Sequence, residues 1–486
     1  MSTIETIRII FEKFIITYAI CIALFYIFLA IVSVFVLRAY LRRNRFVDYE
    51  VMLSSPFAPS ISVIAPAYNE ENTIVENVRA LLSLFYHDFE VVIVNDGSND
   101  HSLQWVKDAY DLEKVDFAVN YRIETREIRG IYKSRNRSFS NLIVVDKQNG
   151  GKADALNAGI NVSGKDYFVS IDVDSIISSD ALLKLAKPFM EAKERRIIAT
   201  GGVIRIANSC VIEGGELVSI RLPGSFLAKF QVLEYTRAFL MGRMAWSKLN
   251  GLLLISGALG LFDKEVASKC GGYYPKTVGE DMELVVRMRR YMADNNKPYR
   301  VAYVPDPLCW TEVPSTFRVL GRQRSRWTRG TIDTLRIHRK LFFNPRYGRM
   351  GLFSYPYWFF FEWLAPVVEM VGLCYFILIA LFGAANWIFF FIILGFVYFF
   401  SITFSTYAIL YEELTFHKYE KKWDVFRLFL YSWIEPILFH PFILFWAIKG
   451  NFDYFIAGKK GWGNMRRDGF GEFNSKNRRK RKKGKG

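Results

Sequence analysis

An uninterrupted apolar run from Phe14 to Leu37, about 24 residues long, constrains this chain before anything else does. A helix of that length crosses the ~30 Å hydrocarbon core of a bilayer with some tilt. The run is too long for the apolar region of a cleavable leader, and it lacks a small-residue cleavage site. Arg38, Arg42, Arg43 and Arg45 follow directly, and basic residues beside a span mark the cytoplasmic side. Tyr355–Phe382 and Trp387–Tyr411 read as two further spans. Val425–Ile448 is also apolar, but Glu435-Pro436 and His440-Pro441 interrupt it, and proline removes helix hydrogen bonds. A full crossing there would put the Lys/Arg-rich end of the sequence outside, against the charge rule. The run is therefore expected to be a broken re-entrant or interfacial segment with both ends in the cytoplasm.

The 486 residues leave room for one sizeable soluble domain besides these spans. The net charge of +17 could suggest a nucleic-acid partner, but much of the excess flanks apolar runs or sits in the tail. Basic residues there fix topology and attract anionic lipid, and no nucleic-acid recognition motif is present. Cys21, Cys210, Cys270, Cys309 and Cys374 are scattered with no CxxC spacing, which disfavours a disulfide framework or a zinc site.

From Ser62 to about Val203, β-rich runs alternate with helical ones: SVIAPAY, NTIVENVRALLSL, VVIVND, SLQWVKDAY, NLIVVDK, GKADALNAGI and YFVSIDVD. Such alternation predicts a largely parallel sheet flanked by helices. Residues 204 to 350 read as mixed, with helical stretches around Phe230–Arg243, Glu283–Met292 and Phe317–His338.

Ligands of open α/β sheets bind outside the carboxyl ends of the strands, so polar residues just after apolar runs are the ones to watch. Three places qualify: Tyr68-Asn69-Glu70, Asp96-Gly97-Ser98 and Asp172-Val173-Asp174. Each could equally be turn or cap chemistry. Alternate residues of an extended chain share a side, so Asp172 and Asp174 could together hold a hard divalent cation whose shell a diphosphate completes. A DxD alone arises about once by chance in a chain this long. In Asn149-Gly150-Gly151-Lys152, glycines before a helix allow close backbone approach, and Lys152 offers a positive charge at a helix start. The full P-loop spacing is missing, which excludes an ATPase of that type. Glu280-Asp281 opens an amphipathic stretch, where Asp281 is either a helix cap or a general base. Gln323, Arg326 and Trp327 share one helical face, suited to a diphosphate and a sugar ring, or to a membrane surface.

In this order the motifs resemble those of the membrane-bound processive family-2 glycosyltransferases, which include cellulose, hyaluronan, chitin-oligosaccharide and poly-N-acetylglucosamine synthases. The likeness runs from Ser62 through the last apolar run, and QxxRW downstream of strand-end Asp, DxD and xED elements is its most specific part. It implies an α/β GT-A (Rossmann-like) cytoplasmic domain with an α-helical transmembrane region, and an inverting single displacement. Tyr68, Glu70 and Asp96 match positions that hold the uridine, Lys152 a donor-binding lysine, and Asp172 and Asp174 the metal and diphosphate motif. Asp281, with Glu280 beside it, matches the catalytic base of a TED motif whose Thr is Gly279 here. Gln323, Arg326 and Trp327 match the donor-diphosphate and acceptor-sugar platform. Ser256–Phe262 looks like the acceptor-lining segment, and Trp462-Gly463-Asn464 like a loop closing over the nucleotide, with Asn464 departing from its usual third residue.

The likeness implies Mg²⁺ or Mn²⁺ as cofactor, and a multi-pass protein of the plasma or inner membrane. A UDP-sugar donor, a growing β-linked polysaccharide and membrane lipids are the expected partners, with room for a small accessory membrane subunit and no nucleic acid. The wording GGKADALNAG tilts the donor towards UDP-N-acetylglucosamine over UDP-glucose. Five segments are expected: a membrane helix with basic flank (1–45), the catalytic domain with interfacial helices (46–350), membrane or re-entrant helices (351–450), a gating loop (451–474) and a basic tail (475–486). The stretch after the last apolar run is too short for an appended cyclic-dinucleotide-binding barrel. Competing readings are a non-processive family-2 transferase acting on a lipid acceptor, and a transporter with an accessory soluble domain. Gln323–Trp327 opposes the first, and the small number of spans and intramembrane ionisable residues opposes the second.

Overall fold

A computed structural model describes residues 3–44, 47, 49–53, 55–213, 216–383, 385–417, 419 and 421–459. The chain forms two compact units. Among the described residues, one gathers 3–44, 224–252 and 314–459, and the other 47–223 and 253–313.

The second unit is built on twelve strands: β1 (Ile61–Ala67), β2 (Phe89–Asp96), β3 (Leu112–Val115), β4 (Ile128–Ser134), β5 (Leu142–Lys147), β6 (Tyr167–Ile171), β7 (Ile176–Ile177), β8 (Arg196–Ile206), β9 (Val211–Glu213), β10 (Glu216–Ser219), β11 (Leu259–Asp263) and β12 (Tyr299–Thr311). Ten of them form one sheet in the order β3-β4-β5-β2-β1-β6-β11-β8-β12-β7, while β9 and β10 pair separately. The middle of the sheet, β5-β2-β1-β6, is parallel, as the alternating pattern predicts. These strands are near-continuous apolar runs because helices cover both faces; Val91–Val94 and Leu142–Val145 are all buried.

The sheet as a whole is mixed rather than largely parallel. β11 runs antiparallel between β6 and β8, β12 pairs antiparallel with β7, and β3-β4-β5 form an antiparallel edge. Only β8 and β12 restore a parallel pair on that side. Hydrophobic pattern shows that a segment is a strand but not which way it runs, so a short run such as Leu259–Phe262 carries no sign of its direction.

Strand order reverses around β1, whose neighbours β2 and β6 leave in opposite directions. That is the switch point at which an open α/β sheet opens a crevice. The helix Lys152–Val162 lies against β1 and β2, and Gly159 is needed there because a Cβ would run into Ile64.

Among the described residues, the first unit holds three helices long and apolar enough to cross a membrane: Glu5–Asn44, Met350–Leu381 and Trp387–Phe416. The first lies within a 42-residue helix, Thr3–Asn44, far longer than the ~20 residues a bilayer core needs. Their apolar side chains face outward, with Ile388 76% and Leu381 79% exposed. The last apolar run forms two helices, Lys422–Leu438 and His440–Phe455, bent by 48°. The bend falls at Phe439. Pro436 sits in the last turn of the first helix without ending it, and Pro441 occupies the first turn of the second, where its missing N–H costs little.

Residues 224–252 and 314–350, which fall within the expected catalytic segment 46–350, fold with the long apolar helices. Leu227, Phe230 and Leu320 share one buried cluster with Phe439. The helices Phe317–Ile337 and His440–Phe455 meet where Gly321 leaves room for Trp446 and Gly450 for Thr328. Arg237 makes a two-pronged pair with Glu435, Nη1 lying 2.7 Å from Oε2, and also donates to Ser405.

Candidate active site

In the sheet unit, polar residues collect at the carboxyl ends of β1, β2 and β6. The turns after β1 and β2 are laced together. Asn69, held at φ 57°, accepts from the backbone N–H of Asn99 (2.9 Å) and gives its own N–H to Ser98 Oγ (3.0 Å). Glu70 gives its N–H to Ser102 Oγ (2.8 Å). Tyr68, on the first of these turns, is 48% exposed.

Asp96 ends β2 and is buried. Its carboxylate accepts from Lys147 Nζ (2.7 Å), Gly150 N (2.9 Å) and Gly151 N (2.8 Å), and its carbonyl accepts from Asn149 Nδ2 (2.7 Å). The glycine amides are thus turned towards Asp96, where the sequence suggested close approach to a ligand. Lys147, fully buried, also lies 2.9 Å from Asp154 Oδ2. Along the helix that follows, Asp154 accepts from Arg126 N, Asn157 exchanges two hydrogen bonds with the backbone of Tyr273, and Asn161 holds Arg122 and Ile123. Three polar residues spaced along one helix are therefore pins for surrounding loops. These interlocked contacts fix the position of Lys152 at the helix start.

Lys152 reaches Asp172 Oδ1 (2.5 Å) and the carbonyl of Gly257 (3.3 Å). Burial works against its charge, but the carboxylates of Asp172, Glu280 and Asp281 outweigh it and hold the ammonium above the usual lysine range. Asp281 is the second residue of the helix Glu280–Asp294, whose N-cap is Gly279, so it is not the cap. Its Oδ2 accepts the Gly257 N–H (3.1 Å) and its Oδ1 that of Met282 (2.8 Å). Gly257 thus binds Asp281 with its N–H and Lys152 with its carbonyl. A Cβ there would sit 3.1 Å from Lys152 Nζ and 3.7 Å from Asp281 Oδ2.

Strand β6 stops at Ile171, and Asp172 to Asp174 lie in the turn that follows, with Ser175 N bonding back to Asp172 O. The same-side argument for an extended DxD therefore does not apply; the turn sets their directions. Among the described residues no three His, Cys, Asp or Glu side chains gather as a metal cage. Mg²⁺-type sites commonly use one or two carboxylates and take the rest of their shell from substrate phosphates and water. Asp172 and Asp174 fit that donor set.

Gln323, Arg326 and Trp327 belong to the helix Phe317–Ile337 of the other unit. Trp327 is 41% exposed, and the Arg324 guanidinium lies 4.2 Å from its ring centre. Arg324 is itself buried and pairs in fork geometry with Glu234, both contacts 2.7 Å. Trp462 lies outside the described residues.

Residues 58–330 match a family model described as glycosyltransferase-like family 2. The chain belongs to this family. Residues 276–483 also match a chitin synthase family model. The poly-β-1,6-N-acetyl-D-glucosamine synthase of Staphylococcus epidermidis is 28% identical over 57% of this chain and 55% of that protein. The Staphylococcus aureus enzyme of the same name has the same identity and coverage. The chain spans about half the length of the curated relatives it matches. Among solved structures, the mannosyltransferase PcManGT from Pyrobaculum calidifontis, in complex with GDP-Man and Mn²⁺, is similar at TM-score 0.48 and 15% identity, over 90% of this chain and 100% of that one.

In this family-2 transferase the sequence pointed to Lys152, Asp172 and Asp281, which the fold brings together, with Tyr68, Glu70 and Asp96 on the adjoining strand ends. It singled out neither Lys147 nor Asp154, since a buried ion network leaves no spacing to read. Gly257 lay within a stretch already marked, but its double backbone role depends on the tertiary turn. Arg324 was passed over for Arg326.

Proposed function

We propose that this glycosyltransferase polymerises a UDP-sugar, UDP-N-acetylglucosamine in the first instance, into a β-linked polysaccharide. The observation that carries this is the meeting of Asp281, Lys152 and Asp172 around Gly257 at the switch point of the sheet. The Staphylococcus relatives support the choice of sugar.

In this reading Asp281 takes the proton from the acceptor hydroxyl as that oxygen attacks the anomeric carbon from the face opposite the leaving group. Inversion gives the β linkage. The Gly257 N–H fixes the carboxylate that does this. Lys152 offers its ammonium to the diphosphate. A divalent cation, Mg²⁺ or Mn²⁺, held by Asp172 and Asp174 would supply further positive charge for the departing nucleoside diphosphate. Tyr68, Glu70 and Asp96 border the uridine, with Asp96 acting through the loop it anchors. Gln323, Arg326 and Trp327 are assigned to the diphosphate and acceptor sugar by their likeness to the family motif, and Arg324 lies over the Trp327 ring.

The long apolar helices support reading it as a multi-pass protein of the plasma or inner membrane, with its sheet unit cytoplasmic. The bend between Lys422–Leu438 and His440–Phe455 supports reading the pair as a re-entrant segment with both ends cytoplasmic.

The reading is tested by incubating membranes with a panel of UDP-sugars and Mg²⁺ or Mn²⁺, then digesting the product with linkage-specific hydrolases. A polymer from UDP-N-acetylglucosamine is expected. Transfer of single sugars to lipid would favour the non-processive alternative. Two variants refine it. Gly257→Ala crowds the gap between Lys152 and Asp281 and should lower kcat on the order of 10–100-fold at an unchanged unfolding temperature. Equal losses of stability and rate would show a packing role only. Trp327→Ala should shorten the polymer while UDP binding persists; full-length product would make Trp327 an interfacial anchor.

A further inference from the structure

We propose that Lys152 is an internal stand-in for the divalent cation, occupying Asp172 until metal and nucleoside diphosphate arrive together. The proposal rests on the reading of Asp172 and Asp174 as metal ligands. The ammonium sits 2.5 Å from Asp172 Oδ1 and is held from a second side by the Gly257 carbonyl at 3.3 Å. The two side chains are only 17% and 22% exposed, so water screens the pair weakly. The helix start that carries Lys152 is fixed from below by Asp96, through the amides of Gly150 and Gly151. The lysine therefore meets Asp172 from a rigid base.

An ammonium and a divalent cation cannot share one carboxylate oxygen without strong repulsion, because like charges a few ångströms apart in a partly buried site are weakly screened. A bare metal ion entering this site must displace the lysine. It gains little in return, since no third His, Cys, Asp or Glu side chain joins the two aspartates among the described residues. A nucleoside diphosphate reverses the balance. Its oxygens complete the shell of the metal, and its negative charge gives the ammonium a new partner. Lysine and metal then exchange places on Asp172 in one event. Metal and nucleotide binding are coupled through Lys152, and by linkage each must tighten the other equally.

The test is a Mn²⁺ titration followed by electron paramagnetic resonance on the purified full-length protein in detergent, with and without UDP. Wild type and Lys152→Arg, which keeps the charge, should bind Mn²⁺ tightly only when UDP is present. Lys152→Met should gain at least about tenfold in Mn²⁺ affinity without UDP, since the repelling charge is gone, and lose most of its dependence on UDP. Wild type binding Mn²⁺ equally well with and without UDP would overturn the proposal with no need of a variant. So would Lys152→Met showing no gain. Wild type that binds no Mn²⁺ even with UDP overturns the metal assignment beneath the proposal, and the proposal with it.

Discussion

Asp281→Asn is expected to lower sugar transfer by ~10²–10⁴-fold while UDP binding stays near that of the wild type. Asparagine keeps the shape of the side chain and can still accept the Met282 N–H through its oxygen, so the helix Glu280–Asp294 has no reason to unravel. What it loses is the capacity to take a proton. The Gly257 N–H, now bonded to Asp281 Oδ2, faces either an amide oxygen or an amide nitrogen, and the choice shifts the local geometry slightly. Measuring polymer synthesis and UDP affinity on the same preparation separates the two effects. Polymer made at close to the normal rate would remove Asp281 from the chemistry and leave it a first-turn acid.

Lys147→Met is expected to cost about 3–5 kcal/mol of stability in the sheet unit, because it strands the carboxylates of Asp96 and Asp154 in the interior. Breaking one side of a buried pair costs more than the pair contributes, so the double variant Lys147→Met/Asp154→Asn should recover part of the loss. Thermal unfolding of the purified protein reads both. If the single variant loses less than about 1 kcal/mol, the contacts at 2.7 and 2.9 Å do not act as a closed network.

The contrast between these two residues shows what the sequence made legible. Asp281 was singled out, as cap or as base, because it opens an amphipathic stretch, and polar residues that close an apolar run or open a helix leave a pattern. The central strands were found for the same reason: Ile61–Ala67, Phe89–Asp96 and Leu142–Lys147 are apolar runs closed by polar turns. Lys147 follows Val144-Val145-Asp146 and reads as the polar end of a strand, which is what an exposed turn lysine would look like too. Only tertiary structure shows that it is fully buried between two carboxylates. The antiparallel β11 was invisible because strand direction is decided by which neighbours accept its hydrogen bonds. The break was expected at Glu435-Pro436 and His440-Pro441, and the bend falls between them at Phe439, since Pro436 is tolerated in a last helical turn and Pro441 in a first. Arg326 was preferred to Arg324 because the helical face was counted from Gln323, and spacing alone could not reveal that Glu234 holds Arg324.

The pair between Arg237 and Glu435 sets a timetable for assembly. Arg237 is synthesised 198 residues before its partner. At ribosomal speeds of about 5–20 residues per second, the guanidinium spends on the order of 10–40 s without the carboxylate that neutralises it. During that interval the segment around Thr236–Gly242 has no reason to leave water, and the three stretches of chain that make the helical unit cannot close around it. The sheet unit draws on none of them. Its β1-to-β6 half is complete in the chain before Arg237 is made, and its last strand, β12, is complete before Glu435. The order along the chain thus lets the sheet strands be complete before the helix Lys422–Leu438 delivers Glu435.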